Sequence, residues 1–341
     1  MRYVKLLYEH RQKFLDALKA RGRVMGPQKV GQDSYDFREV ERWDDMHLHY
    51  TRTISPPKKF VYPPRETLFL IDREKGDVKA PEIEEEPLVL FGLHHCDIEG
   101  LIRLDSVFLG NPPDWYYVKR RKKLIIVGYD CMPDKYCACN ITHTSFTTRG
   151  FDLFLHPVRD GWLVRVLTPL GQEIADEVGM TEVSPEDMKA FYEYQEERKK
   201  HFHWDMDIYG LRSALELRRH SDIWEELSEK CLACGNCNLT CPTCRCYEVI
   251  NIPSIDGVHA TQERVWNSCQ FEHHALVAGG HNFRPTVADR MENRYNCKIS
   301  PSGGESLSYC VGCGRCSAFC PAGINFWENL QKLSGVMKHA K

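Results

Sequence analysis

The sequence carries one twelve-residue pattern twice. Residues 231–242 read CLACGNCNLTCP and residues 310–321 read CVGCGRCSAFCP, both of the form C-x2-C-x2-C-x3-C-P. With 16 cysteines in 341 residues, a single copy arises by chance in roughly two chains per thousand, so two copies report a chemical requirement. Thiolates two residues apart in a tight turn reach three corners of a cubane iron–sulfur cluster, and the fourth cysteine of the run lies just beyond reach. Any fold for this chain must therefore bring together two segments separated by the 68 residues between Cys241 and Cys310.

In two-cluster ferredoxins the cysteine before proline ligates the other cluster. Applied here, Cys231, Cys234, Cys237 and Cys320 hold one [4Fe-4S] cluster, and Cys310, Cys313, Cys316 and Cys241 hold the second. Pro242 and Pro321 turn the chain away, and Gly235, Gly312 and Gly314 are read as allowing backbone to approach inorganic sulfide. Structural zinc, the competing use of C-x2-C pairs, needs two pairs rather than two triads each followed by C-P. The long separation suggests an α-helical dicluster domain rather than a compact ferredoxin hairpin.

Eight further cysteines form two groups. Cys96, Cys131, Cys137 and Cys139 lie in one region at or after strand ends, and four is the number a third [4Fe-4S] cluster requires; the competing reading is four buried free thiols. Cys244, Cys246, Cys269 and Cys297 also number four and invite a fourth cluster. Their scatter over 54 residues instead favours structural thiols supporting the cluster environment.

The fold class expected is α+β. A mixed α/β domain over residues 1–180 precedes an α-helical ferredoxin-type domain over 181–341, in line with roughly 150 residues per domain. Residues 1–22 have near-helical apolar spacing. The runs ending in Cys96 and Cys131 read as buried strands, the first leading into a helix, while FDLFLHPV and GWLVRVL flank the turn residues of a hairpin. Ser184-Pro185-Glu186-Asp187 opens a helix. Pro56 to Pro64 reads as loop, and the KRRKK run at Lys119 to Lys123 reads as a solvated basic loop more readily than as a docking patch.

A net charge of −3 argues against nucleic acid, which wants a basic excess. No apolar run approaches the roughly 20 residues of a membrane span, and the charged N-terminus is unlike a secretory signal. A cytoplasmic setting follows, where thiols serve metals more often than disulfides. There is no phosphate loop, dinucleotide loop or haem-attachment motif. Of the histidines, His94-His95, His273-His274 and His281 read as satisfied surface or supporting groups.

FGLHHCD, DWYYVKRR, the YDC followed by CAC, CLACGNCNLTCPTCRC, RVWNSCQF, AGGHNFRP and CVGCGRC together resemble the β subunits of cytoplasmic sulfhydrogenases and the A subunits of anaerobic sulfite reductases. That resemblance implies an electron-transfer subunit with [4Fe-4S] clusters. It implies two partners: a flavin and NAD(P)H-binding subunit, and a catalytic hydrogenase or reductase subunit. The sequence departs from the pattern at His94-His95, where an arginine tends to precede the cysteine, and at Cys297, where a histidine tends to stand.

The expected function is a non-catalytic electron relay in an oxidoreductase of anaerobic metabolism. The runner-up is a reductase subunit in which the leftover cysteines assemble a catalytic cluster acting on a sulfur or disulfide substrate. A structural zinc scaffold is the third reading.

Overall fold

The structure, a computed structural model, describes residues 1–83, 86–301 and 308–335. The strands are β1 (Arg2–Leu7), β2 (Arg23–Gly31), β3 (Ser34–Glu39), β4 (Arg65–Asp72), β5 (Asp77–Lys79), β6 (Leu88–Leu93), β7 (Leu124–Tyr129), β8 (Leu153–Val158), β9 (Gly161–Val166), β10 (Tyr247–Pro253) and β11 (His259–Trp266). Helices α1 (Arg11–Lys19), α2 (His95–Phe108), α3 (Trp115–Lys122) and α4 (Pro169–Val178) accompany the strands of the first half. From there the chain is mainly helical: α5 (Pro185–Lys200), α6 (Ile208–Leu217), α7 (Ile223–Lys230), α8 (Asn236–Leu239), α9 (Val287–Ile299), α10 (Arg315–Ala318) and α11 (Phe326–Ser334).

Seven strands form one sheet in the order β1-β9-β8-β7-β6-β2-β3. Its centre, β2, β6, β7 and β8, is parallel, with antiparallel strands at both edges. β6 and β7 are buried almost throughout, as expected of parallel strands covered on both faces. Along β6, Val89 and Phe91 enter the core that includes α1 and α4, whereas Leu88 and Leu90 face the core that includes α2 and α3. Side chains alternate across a strand, so one short apolar run serves both layers. Parallel strands present their carboxyl ends on one edge of the sheet, where α/β folds place their sites. Cys96 follows β6 and Cys131 follows β7 on that edge.

The strand and hairpin expectations for residues 88–166 hold, and so does the α5 start. There the Ser184 hydroxyl accepts from the Asp187 N–H while the Asp187 carboxylate accepts from the Ser184 N–H. Residues 2–7, expected to begin a helix, are instead strand β1, paired with β9. The apolar spacing of Val4, Leu6 and the later Phe14, Leu15 and Leu18 feeds one core from a strand and then a helix. The KRRKK run is the last turn of α3 rather than a loop; Arg120 pairs with Glu66 and Arg121 with Asp105.

The helices around the duplicated motif share a second core of Trp224, Met291, Tyr295, Phe326, Trp327 and Leu330, among others. The segment between the two motifs also contains a β-hairpin, β10–β11, that a purely helical reading omits. β11 pairs with β4, giving a four-stranded sheet β10-β11-β4-β5. That sheet joins residues 65–79 to residues 247–266, across the division at 180/181.

Candidate iron–sulfur centre

Each copy of the repeated motif is a loop running into one turn of helix. Gly235 and Gly314 begin α8 and α10 with φ of 75° and 74°, a left-handed conformation that costs a side-chain-bearing residue about 1 kcal/mol or more. The Ala233 N–H donates to Cys231 Sγ and the Gly312 N–H donates to Cys310 Sγ, both at 3.4 Å. The same bond in both copies turns each first sulfur toward the loop interior.

The fold brings the last cysteine of each copy to the triad of the other. Cys231, Cys234, Cys237 and Cys320 line one cavity. Cys241 lies within electrostatic range of Cys310, Cys313 and Cys316. The two groups adjoin, since Cys316 also lines the cavity of the first, and the Asn236 side chain donates to the Phe319 carbonyl. Cys234 is exposed beside Leu232, which is 65% exposed, so the first group opens to solvent.

Cys96, Cys131, Cys137 and Cys139 also come together. Cys96 and Cys139 pack with Cys313 and Val311, and Cys131, Cys137 and Cys139 interact electrostatically. This third group touches the second. The Ala138 N–H donates to the Gly312 carbonyl at 2.8 Å. A Cβ on Gly312, whose φ is 62°, would sit 2.3 Å from the Ala138 carbonyl and the Cys139 nitrogen. Gly312 and Gly314 therefore make room for the 136–139 loop, and Gly235 for Phe271, rather than only for an inorganic core.

Burial pushes several of these thiols up, Cys131 and Cys313 to about 11, Cys137 and Cys237 to about 12, whereas at Cys241 Lys298 and Arg294 outweigh burial and lower it. Thiols so protonated become ligands when a metal displaces the proton. The donor set is uniformly soft sulfur, as iron–sulfur clusters require. Four thiolates on one zinc at about 2.3 Å stand about 3.8 Å apart in a tetrahedron. Among the described residues the only three metal-binding side chains whose ligand atoms lie within 4.8 Å of one another are His95, Asp130 and His156. No cysteine trio among the described residues is that tight, so these sulfurs are not gathered around a single zinc.

His95, Asp130 and His156 are not themselves arranged as a metal site. Arg165 donates to His156 Nε2 at 2.9 Å, and Arg198 lies 3.1 Å from Asp130. Burial pushes Asp130 up, but Arg198, His156 and His95 outweigh it and hold the carboxylate well below its ordinary range. Arg198 also donates to the Cys131 carbonyl. The network is a buried brace beneath Cys96 and Cys131. His94 and His95, read as surface or supporting groups, are both 1% exposed; His94 bridges the Tyr50 and Tyr129 carbonyls.

Sequence reasoning missed the cations. Arg52 donates to the Cys313 carbonyl at 3.2 Å and Cys137 Sγ at 3.3 Å while pairing with Asp134. Arg294 donates to the Cys237 carbonyl, and Lys298 faces Cys241. Only Arg315, inside the second motif, carried a positional signal.

Thiol groups in ferredoxin spacing, exchanged between two loops on a helical core, define an iron–sulfur protein of the dicluster class. The family model for a 4Fe-4S dicluster domain matches residues 230–324. The whole chain is 47% identical over 337 residues to sulfhydrogenase 2 subunit beta of Pyrococcus furiosus, with 98% of each chain covered. It belongs to the sulfhydrogenase β-subunit family. No solved structure matches the chain. Among the described residues no helix is long and apolar enough to cross a membrane.

Proposed function

We propose that this chain is a cytoplasmic electron-relay subunit of a hydrogenase-like or sulfite-reductase-like complex. It passes electrons between a flavin and NAD(P)H-binding subunit and a catalytic subunit. Cys231, Cys234, Cys237 and Cys320 hold one [4Fe-4S] cluster, Cys310, Cys313, Cys316 and Cys241 a second, and Cys96, Cys131, Cys137 and Cys139 a third. Such clusters supply one-electron transfer.

The reading rests on one observation: the three thiol groups adjoin in series, from the solvent edge at Cys234 through Cys316 and Cys313 to buried Cys96. The protein's part is to hold the centres in contact, exclude water from the inner two, and bias them with buried cations. Arg52 and Arg294 do the last by donating to sulfur or to cysteine carbonyls, a lever on cluster potential.

The test is anaerobic mixing of the full chain with NAD(P)H, with and without its flavin subunit. The relay reading expects cluster absorbance to bleach only when the flavin subunit is present. Direct bleaching by NAD(P)H, or turnover of polysulfide by this chain alone, contradicts it and favours a subunit with its own catalytic site.

A further inference from the structure

We propose that Cys244, Cys246, Cys269 and Cys297 form a fourth cluster site, built to hold a [4Fe-4S] cluster against the second cysteine group. The inference goes beyond the three-centre relay, and it reverses the expectation drawn from the scatter of these residues in sequence.

The fold removes that scatter. Cys244 and Cys246 lead into β10, Cys269 follows β11, and Cys297 lies on α9. The hairpin closes the first two against the third, and α9 packs the fourth over them. All four thiols line one enclosed cavity of about 70 Å³. The cavity bounded by the first group of the duplicated motif, about 40 Å³, is of the same order.

The surroundings call for an anion. Lys58, Arg294 and Lys298 are 2%, 4% and 3% exposed, and none meets a carboxylate within 4.0 Å among the described residues. Lys58 Nζ donates to the Cys244 carbonyl at 2.8 Å, Lys298 Nζ to Thr243 Oγ1 at 3.3 Å, and Arg294 to Asn238 Oδ1 at 2.7 Å. Three buried cations with only neutral partners cost several kcal/mol each. The first cysteine group, through Cys237 beside Arg294, and the second, through Cys241 beside Lys298, supply part of the compensating charge. A further four-thiolate centre, doubly negative when oxidised, supplies the rest at the place where Arg294 and Lys298 line the cavity. Asn238 Nδ2, 3.1 Å from Cys269 Sγ, and Gln270 Nε2 at 3.8 Å are the sulfur-directed donors such a centre uses. A mononuclear zinc fits less well, because no three of these sulfurs fall within 4.8 Å of one another.

The test compares the full chain, purified without oxygen, with its Cys269→Ala/Cys297→Ala double variant. The expected counts are about sixteen irons and sixteen sulfides in the parent and about twelve of each in the variant. About twelve in both overturns the fourth site and leaves the three-centre relay standing. One zinc per chain, lost in the variant, also overturns it. Should the double variant fail to fold, Cys297→Ala alone removes a partly buried ligand at a helix surface. The oxidised protein should then show a three-iron EPR signal that the parent lacks, and no new signal counts against the site.

Discussion

Arg315 reaches out of the second cysteine motif and pairs with Asp97, the residue after Cys96, at 2.7 Å with both side chains fully buried. Arg315 also donates to Thr53, so one guanidinium joins the motif, α2 and the loop before Pro56. A pair this dry couples the two halves of the chain. Replacing Arg315 with Met leaves Asp97 charged and unpaired, a loss of about 3 to 5 kcal/mol, and should lower the anaerobic melting temperature by about 5 to 10 °C. Arg315→Met/Asp97→Leu should recover part of that loss. Scanning calorimetry on the three proteins checks it, and additive losses contradict the pairing.

The proposed exchange of Cys241 and Cys320 between motifs makes a coupled prediction. Removing Cys320 and Cys231 together strikes one centre, so the double alanine variant should lose about four irons. Removing Cys320 and Cys310 strikes two and should lose about eight. Iron analysis distinguishes the exchanged pairing from one in which each motif keeps its own fourth cysteine.

Arg52 donates to Cys137 Sγ and the Cys313 carbonyl, at the junction between the second and third groups. A positive donor favours the reduced, more negative state of a neighbouring centre. Arg52→Met should shift the potential of the third centre downward by on the order of 50 mV, from about 1 kcal/mol of lost charged hydrogen bonding. An EPR-monitored redox titration measures it; an unchanged potential would show that Arg52 only braces the loop.

His156 is fully buried between Asp130 and Arg165. Burial lowers its pKa from 6.5, and Asp130 only partly offsets this. A base with a depressed folded pKa costs the fold nothing well above its unfolded value and destabilises it as pH falls below that value, where only the unfolded chain takes up the proton. Melting temperature should therefore decline from about pH 7.5 to about pH 5.5, less steeply in His156→Asn than in the parent. Equal slopes would assign the decline to other groups.

The sequence made the two motifs legible because short-range spacing encodes them, whereas the proposed exchange of Cys241 and Cys320 came from the pattern of two-cluster ferredoxins. β6, β7 and the β8–β9 hairpin were legible because a buried strand writes itself as an apolar run. The β10–β11 hairpin was not, since its residues alternate between exposed and half-buried and its pairing with β4 lies far away in sequence. β1 was misread for a related reason: Val4 and Leu6 enter the same core as Phe14 and Leu18, so strand and helix merge into one helix-like pattern. The convergence of Cys244, Cys246, Cys269 and Cys297 depends on that same hairpin, and so their common cavity had no local signature. Neither did Lys58, whose partner, the Cys244 carbonyl, stands 186 residues away.

Iron, acid-labile sulfide and zinc per chain, measured on anaerobically purified protein alongside EPR of the dithionite-reduced sample, test the central claim most directly. The account expects equal iron and sulfide, no fewer than about twelve of each per chain, and EPR signals broadened by coupling between adjacent reduced centres. A colourless protein with stoichiometric zinc and iron near zero would contradict it.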